Sequence, residues 1–104
     1  MRSKNTPIVL KINDTISIPA ILNSTKTANE LKKLLPFSVN ASKGEFDFCG
    51  LSPELPTDNA ERQAGWKNGD IGYSKGWFAL FHDGETQSSG YTSEMIIGHI
   101  DHAI

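Results

Sequence analysis

The sequence predicts a mainly β domain: a closed barrel of about eight short strands, with one short helix capping a mouth. Three observations carry this. Apolar residues alternate at period two in most of the ordered-looking segments. Turn residues separate those segments at short intervals. One segment only, Thr27–Leu35, carries helix punctuation, and it is too short to be stable unless it packs on a sheet.

The densest segment is Gly69–Asp83, GDIGYSKGWFALFHD, with Tyr73, Trp77, Phe78 and Phe81 close together. Lys67-Asn68-Gly69-Asp70 precedes it as a turn, and Asp83-Gly84 follows it. Ser74-Lys75-Gly76 divides it into two runs, so it reads as a strand, a tight turn and a second strand. Apolar residues on both faces place that second strand in the middle of the sheet. Asp70 is expected to serve the turn that opens the first run.

Earlier in the chain, residues 1–7 read as a flexible N-terminus and residues 8–104 as one domain. Ile8, Leu10 and Ile12 alternate, then Ile16, Ile18, Ala20 and Leu22. Asn13-Asp14 between them makes a β-hairpin. Pro19 has no N–H to donate and must sit at an edge position or a bulge. Thr27-Ala28-Asn29-Glu30 matches a capping box, with Leu31, Leu34 and Leu35 as the apolar face of the helix, Lys32 and Lys33 toward water, and Pro36 ending it. Phe37–Asn40 alternates as a strand, Ser42-Lys43-Gly44 turns the chain, and Glu45–Phe48 alternates with Phe46 and Phe48 on one face. Residues 50–68 form a long irregular excursion, either an Ω-loop anchored by Leu55 and Trp66 or part of a binding site. Residues 84–93 are a loop, and Met95–Ile100 is the last strand.

Composition excludes several functions. The net charge is −2, and basic residues are scattered, so nothing marks a nucleic-acid surface. The single cysteine, Cys49, admits neither an internal disulfide nor a cysteine-rich metal site. No signal peptide or membrane span is visible, which makes the cytoplasm the default location.

Three stretches resemble the small bacterial cyclophilin-like proteins in order and spacing: TANELKKLLP at 27–36, GEFDFCGLSPELP at 44–56 and GDIGYSKGWFALF at 69–81. The likeness covers roughly residues 8–100. It implies a closed barrel of about eight strands with a capping helix, in agreement with the strand count. Cyclophilins of the eukaryotic type isomerise X-Pro bonds, against a barrier of about 18–20 kcal/mol, through an arginine in the strand after the first helix. Residues 37–48 contain no arginine here; the chain has only Arg2 and Arg62. The resemblance therefore implies the fold without the usual catalytic residue. The family pattern also has an acidic residue where Glu45 stands.

Among the reactive residues, His99 and His102 flank Asp101, but a third metal ligand is missing, and neither a metal nor another cofactor is expected. A Cys49–His82 nucleophile pair lacks an orienting third group. The aromatic residues outnumber the evident needs of a small core. Trp66 and Trp77 sit beside glycine-containing turns, and Tyr73 brings a polar handle. The expected site is thus a groove formed by Glu45, Arg62, Trp66, Tyr73, Trp77, Phe81 and His82. The function expected from it is a peptide- or small-ligand-binding module, with no catalytic residue assignable and the chain a monomer or weak homodimer. The alternative is a peptidyl-prolyl isomerase in which Arg62 replaces the usual arginine.

Overall fold

The computed structural model describes residues 5–12, 15–36 and 38–101. Alternating apolar segments form seven strands: β1 (Thr6–Ile12), β2 (Ile16–Leu22), β3 (Ala41–Lys43), β4 (Asp47–Leu51), β5 (Asp70–Ser74), β6 (Trp77–Phe81) and β7 (Met95–Ile100). One helix, α1 (Lys26–Lys32), follows β2. All pairings are antiparallel, and the spatial order is β1-β2-β7-β5-β6-β4-β3. The sheet curls into a half-barrel that stays open, because β1 and β3 are the two ends and do not pair with each other among the described residues. The mainly β, barrel-like architecture is the expected one, with seven strands rather than about eight and without closure.

The stretch expected at the centre is there. β5 and β6 are joined by Lys75-Gly76, with φ of 43° and 84°; positive φ at both central residues matches the twist of the flanking strands. Asp70 serves the opening turn, its Oδ2 accepting from the Lys67 N–H at 2.9 Å. Strand alternation sends Ile71 and Tyr73 of β5 to the inner face. There they meet Ala20 and Leu22 of β2, Met95 and Ile97 of β7, and Ala28 and Leu31 of α1. Phe78 and Leu80 of β6 pack against this cluster. Leu22, Met95 and Ile97 are fully enclosed.

Local elements differ from expectation in instructive ways. β1 begins at Thr6, so Thr6 and Pro7 are already paired with Leu22 and Ile21. The Asn13-Asp14 turn lies outside the described residues. Pro19 faces Val9 on β1, and on its other side its carbonyl accepts from the Asp101 N–H at 2.9 Å, just past the last β2–β7 pair, where the missing Pro19 N–H costs little. The helix N-cap is Thr25, whose Oγ1 accepts from the Ala28 N–H at 3.2 Å. Thr27 is instead buried inside the first turn and donates to the Pro56 carbonyl at 2.8 Å. The carboxylate that completes the cap comes from a distance, with Glu61 Oε1 accepting from the Lys26 N–H at 2.9 Å. The helix ends at Lys32, so Leu34 and Leu35 fall past it and stay exposed; Thr27, Ala28 and Leu31 make its buried face. Strand β3 covers the residues expected to turn, and the turn falls one step later, closed by the Gly44 N–H to the Asp47 carbonyl at 2.6 Å.

The long excursion has Leu55 and Trp66 as its buried anchors. Leu55 joins the inner core cluster, and 3-10 turns at Asn59–Glu61 and Glu85–Gly90 shape this excursion and the loop before β7. Among the described residues, no helix is long and apolar enough to cross a membrane.

Candidate functional site

The outer face of β4, β6 and β5 holds a cavity of about 450 Å³. Its floor follows from register. Cys49 pairs with Ala79, and Ala79 pairs with Gly72, so three small residues lie side by side across three strands. Larger neighbours stand at both ends of this row. Trp77, paired with Leu51 on one side and Ser74 on the other, marks one end. Phe81, paired with Asp47, marks the other. A dip between tall side chains is what such a pattern produces on a pleated surface.

The Phe81 end is built from stacked rings. Trp66 lies on Phe81 with ring centroids 4.2 Å apart and planes 10° from parallel. Phe46 and Tyr91 flank Trp66 at 6.0 and 5.2 Å. Trp66 is locked in place. Its backbone N–H donates to Ser88 Oγ at 3.0 Å, and its indole Nε1–H donates to the Asp83 carbonyl at 3.0 Å. Gly84, at φ of 88°, lets the Phe46 ring pack where a Cβ would be 2.7 Å from a ring carbon. Trp77 and Tyr91 are the aromatic residues that face outward, 47% and 50% exposed.

Three carboxylates line the same cavity: Glu45 and Asp47 from the β3–β4 turn region, and Glu94 just before β7. Glu94 bridges to Gln63 through the backbone, and since its neighbour Met95 points into the core, alternation turns Glu94 outward. Burial pushes the Glu94 carboxyl above its ordinary value, the charge of Asp47 adds to the rise, and Arg62 pulls partly the other way.

The expected groove residues divide. Glu45, Trp66, Tyr73, Trp77 and Phe81 line the cavity together. Arg62 and His82 do not. Arg62 is held by Asn59 Oδ1 at 2.9 Å, the Ser93 carbonyl at 3.1 Å and Thr57 Oγ1 at 3.3 Å, and so ties the long excursion to the segment before β7. His82 lies edge-on to Phe48 at 5.1 Å and donates from Nε2 to the Gly44 carbonyl at 3.2 Å. Phe48 alternates with Cys49 on β4, so His82 and Cys49 stand on opposite faces and form no nucleophile pair. Tyr73 also differs from expectation: its hydroxyl accepts from the Leu55 N–H at 2.7 Å and the Gly76 N–H at 3.0 Å, which makes it a pin for the long excursion rather than a free handle. Phe46 and Phe48 do not share a core face; Phe46 sits in the turn against Trp66, and Phe48 is 38% exposed. Among the described residues no three metal-ligating side chains come together, and His102 lies outside them.

Asp47, Cys49, Tyr91 and Glu94 join the site without having been expected there. The signal for the floor was present in the sequence as small residues at alternate positions of β4, β5 and β6, but it needed the register. No local pattern marks Tyr91 or Glu94.

A curled antiparallel sheet with a helix packed on its inner core and a cavity on its outer face defines a small barrel-type β domain with a ligand-sized surface site. The chain belongs to the cyclophilin-like family, whose model matches residues 10–104. No curated protein and no solved structure matches it.

Proposed function

We propose that this domain is a binding module whose ligand, a peptide or small molecule, sits in the outer-face cavity. The observation that carries this reading is the cavity itself. Its volume of about 450 Å³ falls in the range of small-ligand sites, and aromatic walls with a few polar groups are the usual lining of such sites. The rings at the Phe81 end are fixed by hydrogen bonds and packing, so the site is formed before a ligand arrives and little ordering cost falls on binding. An isomerase reading draws less support, because the guanidinium of Arg62 is engaged by three partners and does not line the cavity.

The test is an NMR titration of isotope-labelled protein with short X-Pro peptides and with a small-molecule library, recording peptide cis/trans exchange in the same samples. Shifts confined to Trp77, Tyr91 and the floor residues, with unaltered exchange, are the expected result. Accelerated exchange that disappears in Arg62→Ala would establish the isomerase instead. An absence of shifts at the cavity across both sets would remove the binding reading.

A further inference from the structure

We propose that the ligand of the outer-face cavity is a small organic cation, an alkylammonium bearing a compact hydrocarbon body. The inference rests on the binding reading above and narrows it to a chemical class.

Among the described residues the cavity has acidic groups and no basic ones: Glu45, Asp47 and Glu94 line it, and no described lysine, arginine or histidine does. None of the three carboxylates has an ion-pair partner among the described residues, where the one salt bridge is Lys33–Glu30. Arg62 influences Glu94 electrostatically, but its Nε, Nη1 and Nη2 each donate elsewhere, to Asn59, Ser93 and Thr57, and no salt bridge joins it to Glu94. An anionic ligand would meet three like charges. A neutral one would leave the carboxylates partly desolvated and unpaired, which costs free energy. A cation answers both.

The aromatic walls point the same way. Trp77 and Tyr91 present open ring surface, and ring faces attract ammonium groups, at about 0.5–2 kcal/mol according to how far water is excluded. The row Cys49–Ala79–Gly72 gives a shallow apolar floor for hydrocarbon. A bare metal ion is a poor fit, because no three ligating side chains among the described residues converge on one point; an ammonium spreads its charge over a larger radius and tolerates carboxylates spaced around a rim.

Backbone pairing favours a small molecule over a peptide. β6 and β5 are hydrogen-bonded on both edges, to β4 and β5 and to β6 and β7, and β4 is bonded to β3 and β6. The strands under the cavity therefore offer no free ladder for a peptide strand to join. The free edges are at β1 and β3, at the ends of the sheet.

Cys49 supplies a built-in reporter, since it is the single cysteine of the chain and lies on the floor. The experiment measures its alkylation rate by iodoacetamide, together with the Trp77 indole resonance, in the presence of benzyltrimethylammonium, phenethylamine, 2-phenylethanol and 3-phenylpropionate. The two ammonium compounds should protect Cys49 and shift Trp77, with the alcohol about tenfold weaker and the carboxylate weaker still. In Glu45→Gln/Glu94→Gln the ammonium should bind no more tightly than the alcohol; a retained advantage of the ammonium over the alcohol would overturn the assignment of the carboxylates. Equal binding of ammonium and alcohol to the native protein overturns the cation proposal and leaves the binding module standing. Binding of a lysine-containing peptide without binding of the free amines overturns the small-molecule assignment. No protection and no shift with any compound, in a protein whose amide spectrum is that of a folded domain, overturns the cation proposal, and the wider library of the preceding experiment decides whether the binding reading falls with it.

Discussion

The two faces of this sheet are made from the same strands and do opposite things. On β5 and β6, Ile71, Tyr73, Phe78 and Leu80 turn inward to an aliphatic core closed by α1, while Gly72, Ala79 and Trp77 turn outward to a cavity. The inner face is filled: Leu22, Met95 and Ile97 have essentially no contact with solvent. The outer face is left unfilled at its centre because its central positions hold Cys49, Ala79 and Gly72. The lesson is that bulk at alternate positions decides which side of a sheet becomes a core and which a site.

This contrast can be broken from either side. The largest effect is expected at the core: Ile97→Ala should lower stability by about 2–5 kcal/mol, through lost burial and the void left behind, as read from urea unfolding. Tyr73→Phe comes next. It leaves the Leu55 N–H, buried and bonded at 2.7 Å, without its acceptor, at a cost of about 1–3 kcal/mol; a matching rise in amide exchange at Leu55 and Gly76 would locate the loss. Ala79→Leu adds side chain to the outer cavity, where there is room for it, so stability should change by less than about 1 kcal/mol. Ligand-induced shifts at Trp77 should nevertheless vanish, and a large destabilisation would mean the outer face is packed as tightly as the inner.

The smallest effect is at Glu94. Burial raises its carboxyl above the ordinary value in the folded chain. The folded state therefore binds this proton more tightly than the unfolded state, and the stability this confers is full below the ordinary carboxylate range and lost as pH rises through the raised value. Glu94→Gln should flatten that part of the stability–pH profile and be neutral to slightly stabilising at neutral pH. Asp70, also raised by burial, should leave a residual slope of the same sign in the variant.

Much of the fold was legible because it depends on local periodicity. The β1–β2 alternation, the Lys75-Gly76 turn and the anchors Leu55 and Trp66 could each be read from residue type and spacing. The helix was less so. TANE satisfies the capping pattern, but Thr25 takes the N-cap because Glu61, many residues away, supplies the carboxylate and Pro56 supplies an acceptor for Thr27. The site was half legible. Glu45, Trp66, Tyr73, Trp77 and Phe81 could be nominated as aromatic or acidic residues near turns, whereas Arg62 and His82 were nominated on the same grounds and find their partners elsewhere.

The sequence by itself determined the class of structure: period-two burial and turn chemistry are properties of neighbouring residues, and they leave a small antiparallel β domain as the consistent arrangement. The family likeness was written in three local stretches. Only the tertiary structure decided where the cavity lies, since its floor is a cross-strand row, Cys49–Ala79–Gly72, assembled from three separate segments by hydrogen-bond register. It alone decided that Glu94 joins Glu45 and Asp47, because that meeting depends on the curl of the sheet and on the path of the chain over its outer face. Strand register and loop path are set by the sum of long-range contacts, and no short window of sequence contains them.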